Sequence, residues 1–192
     1  MKKVNIIDTI KFFKKLDLFL IENFEDEFEL HLGVIGGTYL ELFSLRESTK
    51  DIDLVLLTQV PNKITEYFKK YMVEKDIEID FGPPGIFQSM LLNEDMFSRF
   101  SFILPNMKTG RFRKYTFKKL KLYLIQPQYF MLVKLEAGTK RGERDINDAK
   151  AIQKHFGIKE KEFIEVLEEY DVEIDMVPGL QLTIDLYKKD NF

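Results

Sequence analysis

Residues 34–55 read VIGGTYLELFSLRESTKDIDLV, and two features of this stretch are locally unfavourable. An apolar strand runs into two consecutive glycines, Gly36 and Gly37, the residue type that loses most backbone freedom on folding. Asp51 and Asp53 then open the next apolar strand, where charges sit badly. Something must compensate for both. Residues two apart on a strand share a face, so Asp51 and Asp53 present two carboxylates a pleat apart.

Working outward, Asp8 is placed to cap a helix over 8–24, with Ile10, Phe13, Leu16 and Leu20 recurring at three- and four-residue steps. LHLGVI (30–35) predicts a strand, the double glycine a turn, TYLELFSL (38–45) a helix, and DIDLVLL (51–57) a strand buried on both faces. Pro61 opens a helix that ends near Glu74, and IEIDF (77–81) is a third strand, closed by GPPG at 82–85. This alternation from 30 to 81 implies a small core with crossover connections. Two or three strands are expected over 99–125, with Thr109-Gly110 as a hairpin turn, and helices over 127–138, 144–155, 159–170 and 178–188. The expected architecture is α+β: a small mixed-sheet core over 1–126, with a C-terminal helical region over 127–192 packed on it.

With 192 residues, 45% of them hydrophobic and 18 of them Phe, the chain has material for one well-cored domain. The absence of cysteine excludes disulfides and thiolate metal sites, and His31 and His155 cannot build a zinc cluster alone. His31 is expected in a structural role beside its strand. No membrane span or cleavable leader is legible, so the expectation is a soluble cytoplasmic protein of open oligomeric state. A net charge of −3 argues against a dedicated nucleic-acid coat. Locally, Lys108, Arg111, Arg113, Lys114, Lys118, Lys119 and Lys121 form a run without an acid, which reads as the solvated face of a hairpin or as a track for a phosphate backbone.

Two carboxylates a pleat apart suit a hard divalent cation such as Mg²⁺ (or Mn²⁺), which takes oxygen ligands and shares them with substrate phosphates. In IEIDF, Asp76, Glu78 and Asp80 alternate with Ile77, Ile79 and Phe81; if this strand pairs beside 51–57, Asp80 or Glu78 joins the pair. Gly36, Gly37 and Thr38 could then let backbone N–H groups approach a phosphate. A phosphate cradle opposite a carboxylate cluster specifies phosphoryl or nucleotidyl transfer.

GGTYLELFSLRESTKDIDLV resembles the signature of the nucleotidyltransferase superfamily of DNA polymerase beta type, in which Gly-Gly opens a helix and Asp-x-Asp follows on the next strand. The arginine and threonine of LRESTKDID, with MLVKLEAGTKRGERDINDAKAI (131–152), are similar more narrowly to abortive-infection toxin nucleotidyltransferases and their prokaryotic relatives. The resemblance covers 30–57 and 125–152. It implies an NTP substrate, Mg²⁺ or Mn²⁺, transfer of a nucleoside monophosphate to a hydroxyl of an acceptor such as RNA or protein, and a toxin–antitoxin context. By position it gives Asp51 and Asp53 to the metal with Asp80 as third acid, and Gly36, Gly37 and Thr38 to the phosphates. It gives Lys134 to the triphosphate, and makes Asp148, rather than Asp145, the group that activates the acceptor. Three bland readings stand beside these. Lys134 could snorkel from a packed helix, Asp145 and Asp148 could be first-turn acids, and the fold could be a degenerate module that binds a nucleotide or partner without chemistry. The structural half of a two-component system is a further alternative.

Overall fold

The computed structural model describes residues 3–57, 60–81, 107–109, 117–169 and 179–192. Those before residue 125 belong to one compact unit and those from Ile125 onward to a second. The fold is α+β with a mixed sheet.

The first unit holds β1 (Leu30–Val34), β2 (Asp51–Leu56), β3 (Glu78–Asp80), β4 (Met107–Thr109) and β5 (Leu120–Ile125), the last strand reaching the unit boundary. The sheet order is β3-β2-β1-β5-β4. β1 runs parallel to β5 and β2 parallel to β3, but β1 and β2 are antiparallel. The crossover expectation therefore holds for β2 to β3, which are joined through helix α3 (Asn62–Lys75). It fails for β1 to β2. There α2 (Gly36–Leu42) has only seven residues, and the chain after it is pinned by an isolated antiparallel bridge between Val4 and Thr49 before turning back.

One parity of the strands forms the core. Leu30, Leu32, Val34, Ile52, Leu54, Ile79, Leu120 and Leu122 are all buried. Against them pack Phe12, Phe13, Leu16 and Leu20 of α1 (Ile6–Asn23) and Ile64, Phe68 and Tyr71 of α3; Phe12 meets Phe68 and Tyr71 at ring separations of 6.1 and 5.1 Å. The other parity of β2 carries Asp51 and Asp53, both part-exposed, so this strand is not the doubly buried one its composition suggests.

Two caps differ from expectation. Asn5, not Asp8, caps α1: its side-chain oxygen accepts from the N–H groups of Ile7 and Asp8 at 3.0 and 3.1 Å, leaving Asp8 as a first-turn acid. Asp76 is not part of β3; it ends α3 in the left-handed region at φ 52°.

The basic run is re-read by its neighbours. Asp17 accepts the N–H groups of Lys118, Lys119 and Leu120 at 2.8–2.9 Å, and Lys119 is buried with its ammonium on the carbonyl oxygens of Phe24 and Glu25. Lys121 pairs with Glu29 at 3.0 Å and Lys118 with Asp26 at 3.6 Å. The side chain of Lys108, all of Arg111, Arg113 and Lys114, and the turn glycine Gly110 lie outside the described residues.

The second unit contains α4 (Pro127–Arg141), α5 (Glu143–Phe156), α6 (Glu160–Glu169) and α7 (Leu180–Asn191). These helices begin and end within a few residues of the expected bounds. Phe130, Met131, Leu135, Ala149, Ile152, Phe163, Val166, Ile184 and Tyr187 are among its buried apolar residues. No helix among the described residues is long and apolar enough to cross a membrane.

Candidate metal centre

The parallel register of β2 and β3 decides which acids meet. Asp53 stands opposite Asp80 and Asp51 opposite Glu78, so all four side chains lie on the face away from the core. Asp51, Asp53 and Asp80 bring ligand oxygens within 4.8 Å of one another. Glu78 is exposed and stands outside this group. Among the described residues no lysine or arginine pairs with any of the three.

The electrostatics follow from that geometry. Burial, then the charge of Asp51, push the Asp53 carboxyl up to about 6 against the pull of its hydrogen bonds to Thr38 and Gly37, with Asp80 adding repulsion. Asp80 is raised by burial first, then by Asp51 and Glu78. An oxygen-only donor set that resists ionisation is what a hard divalent cation relieves, so the three residues fit Mg²⁺ or Mn²⁺.

The double glycine is explained by close approach. Gly36 has φ +57°, and a Cβ there would stand 2.5 and 2.7 Å from the two carboxylate oxygens of Asp53. A Cβ on Gly37 would run into the side chain of Thr49 and stand 3.1 Å from the guanidinium of Arg46. Gly37 and Thr38 donate their N–H groups to Asp53 Oδ2 at 2.6 and 3.3 Å, and Thr38 Oγ1 accepts the Asp53 N–H at 2.8 Å. The Thr49 hydroxyl donates to Asp51 Oδ1 at 3.3 Å. The two costly features of the opening stretch thus meet: the glycines make room for the aspartates and their supports. Of the groups expected to meet phosphate, the Gly37 and Thr38 N–H groups are engaged by Asp53, and Thr38 is fully buried.

In the second unit Lys134 does not snorkel. It is 5% exposed, and its ammonium donates to Asp145 Oδ1 at 3.0 Å and Asp148 Oδ2 at 2.9 Å. Arg141 closes the cluster on Asp145 at 3.0 Å. Its side chains bind α4 to α5, and Lys134 lies 5.7 Å from the Phe130 ring centre.

Sequence reasoning gave no role to Thr49, Arg46 or Glu41. The first two belong to the quoted motif, and spacing alone did not bring them to the glycines. Glu41 is 2% exposed, accepts from Thr9 at 3.1 Å, and is pushed up to about 7 chiefly by burial. Its only signal was an acid inside an apolar helical run. His31 lies within 2.8 Å of the Tyr123 hydroxyl and 3.5 Å of Glu29.

No protein-family model, curated protein or solved structure matches this chain.

Proposed function

We propose that this protein is a metal-dependent nucleotidyltransferase, moving a nucleoside monophosphate from an NTP to a hydroxyl of an RNA or protein acceptor. The observation that carries this reading is the β2–β3 register, which sets Asp80 beside Asp51 and Asp53 with no cation paired to them among the described residues. The resemblance of the Gly-Gly and Asp-x-Asp stretch supports it.

Asp51, Asp53 and Asp80 would hold Mg²⁺ or Mn²⁺, which when bound supplies positive charge to the phosphates and to the charge that develops during transfer. The acceptor oxygen attacks the α-phosphorus, the bond to the bridging oxygen breaks, and pyrophosphate leaves with the electron pair. The hydroxyl proton passes to Asp80, the carboxylate that stands opposite Asp53 at the end of β3. Lys134 and Asp148 receive no step here, because each already answers the other's charge.

The test is incubation with each α-labelled NTP, Mg²⁺, and total cellular RNA or protein. Label should pass to an acceptor and be lost in Asp51→Asn. Nucleotide that binds tightly without transfer would make the fold a binding module instead.

A further inference from the structure

We infer that the Gly36-Gly37-Thr38 turn is the seat of the Asp53 carboxylate rather than a phosphate contact, and that Thr38 is a positioning residue acting through Asp53. The inference rests on the metal centre proposed above and assigns this turn to the metal rather than to the nucleotide.

Four hydrogen bonds fix residue 53 to the turn. Ile35 donates its N–H to the Asp53 carbonyl oxygen at 3.3 Å, Gly37 and Thr38 donate to Oδ2, and the Thr38 hydroxyl oxygen accepts from the Asp53 N–H. Backbone and carboxylate of one residue are thereby held by a single turn. With Oδ2 engaged by two N–H donors, Oδ1 is the oxygen left for a cation. The Thr38 side chain is completely buried, so its hydroxyl cannot reach a nucleotide without the turn opening. Gly36 enforces the same geometry sterically, because any side chain there would occupy the volume of the Asp53 carboxyl group. Thr49 does for Asp51 what the turn does for Asp53, and it fits only because Gly37 lacks a side chain. Loss of a partner that orients a metal-ligating carboxylate in this way typically costs about 10–100-fold in metal affinity.

The experiment is Mn²⁺ binding without nucleotide, measured by electron paramagnetic resonance on wild type, Thr38→Val and Thr38→Ser, alongside ATP affinity in the presence of Mg²⁺. Valine keeps the shape and removes the acceptor, and should weaken Mn²⁺ binding per folded molecule by about 10–100-fold. Serine keeps the acceptor and should restore it. A Thr38→Val protein that binds Mn²⁺ like wild type but loses ATP overturns the inference and returns the turn to the phosphates. Wild type that binds no Mn²⁺ overturns the metal centre itself, a separate failure. If valine prevents folding, the wild-type amide resonances of Gly37 and Thr38 decide. Both should keep their carboxylate-bonded shifts when MgATP is added, and displacement of both would overturn the inference.

Discussion

The two units each carry a cluster of carboxylates, and the clusters solve the same electrostatic problem differently. In the second unit Asp145 and Asp148 share the buried ammonium of Lys134, with Arg141 on the rim, so the charges are answered within the chain. In the first unit Asp51, Asp53 and Asp80 have no such partner among the described residues, and two of them are pushed toward the protonated form. A cluster closed on itself holds helices together. The cluster of the first unit is left without a counter-charge among the described residues, which makes it the candidate for chemistry and the cluster of the second unit an internal brace.

The largest effect expected from this contrast is on the brace. Lys134→Met should destabilise the protein by about 3–5 kcal/mol, because it removes the buried ammonium that Asp145 and Asp148 share and leaves Asp145 only the exposed Arg141. Denaturant unfolding checks it, and a loss under about 1 kcal/mol would mean that water already screens the pair.

Asp53→Asn should behave in the opposite way. The amide oxygen can still accept from Gly37 and Thr38, so the fold should survive with unchanged or higher melting temperature, while transfer activity disappears. Wild type should gain about 2.7 kcal/mol when Mg²⁺ or Mn²⁺ stands at 100 times its dissociation constant, and the variant should not. Equal stabilisation of both would remove Asp53 from the ligand set.

A smaller effect concerns pH. The folded pKa of Asp53, about 6, lies above its ordinary 3.8, so its contribution to metal-free stability is full below pH 3.8 and is lost as pH rises through 6. Glu41 acts in the same direction between its ordinary 4.5 and about 7. Melting curves of metal-free protein should therefore fall across this range by about 1–3 kcal/mol. Glu41→Gln should flatten the upper part alone, whereas saturating Mg²⁺ should flatten the part due to Asp53. If neither flattens the profile, other groups govern it.

The smallest effect belongs to the basic run. Lys118→Gln and Lys121→Gln remove exposed ion pairs to Asp26 and Glu29 and should change stability by less than about 1 kcal/mol. If RNA is the acceptor, they should also leave the salt dependence of its binding nearly unchanged, since these charges are already answered. A marked flattening of that slope would place both lysines on the RNA.

Local signals were legible where one element satisfied its own rules. Helical periodicity and Pro127 located α4 to α7 within a few residues, and the alternation in IEIDF put Asp80 on the right face. Signals that depended on a partner were not. Asn5 and Asp8 both have capping side chains, and only the path of the chain chose between them. Lys119 reads as one cation in a basic run, yet Asp17 and the carbonyls after α1, about a hundred positions away, make it a core residue.

The sequence by itself determined the α+β class, the pairing of a double glycine with an Asp-x-Asp strand, and the shared face of Asp51 and Asp53, because these follow from backbone conformation and a period of two. Tertiary structure alone decided that Asp80 rather than Glu78 completes the cluster, since that depends on the register between two strands separated by a helix. It also decided that Lys134 braces α4 to α5, and that the glycines meet Asp53 and Thr49. Contacts of that kind are set by where separate elements come to rest, and no local pattern of residue types encodes them.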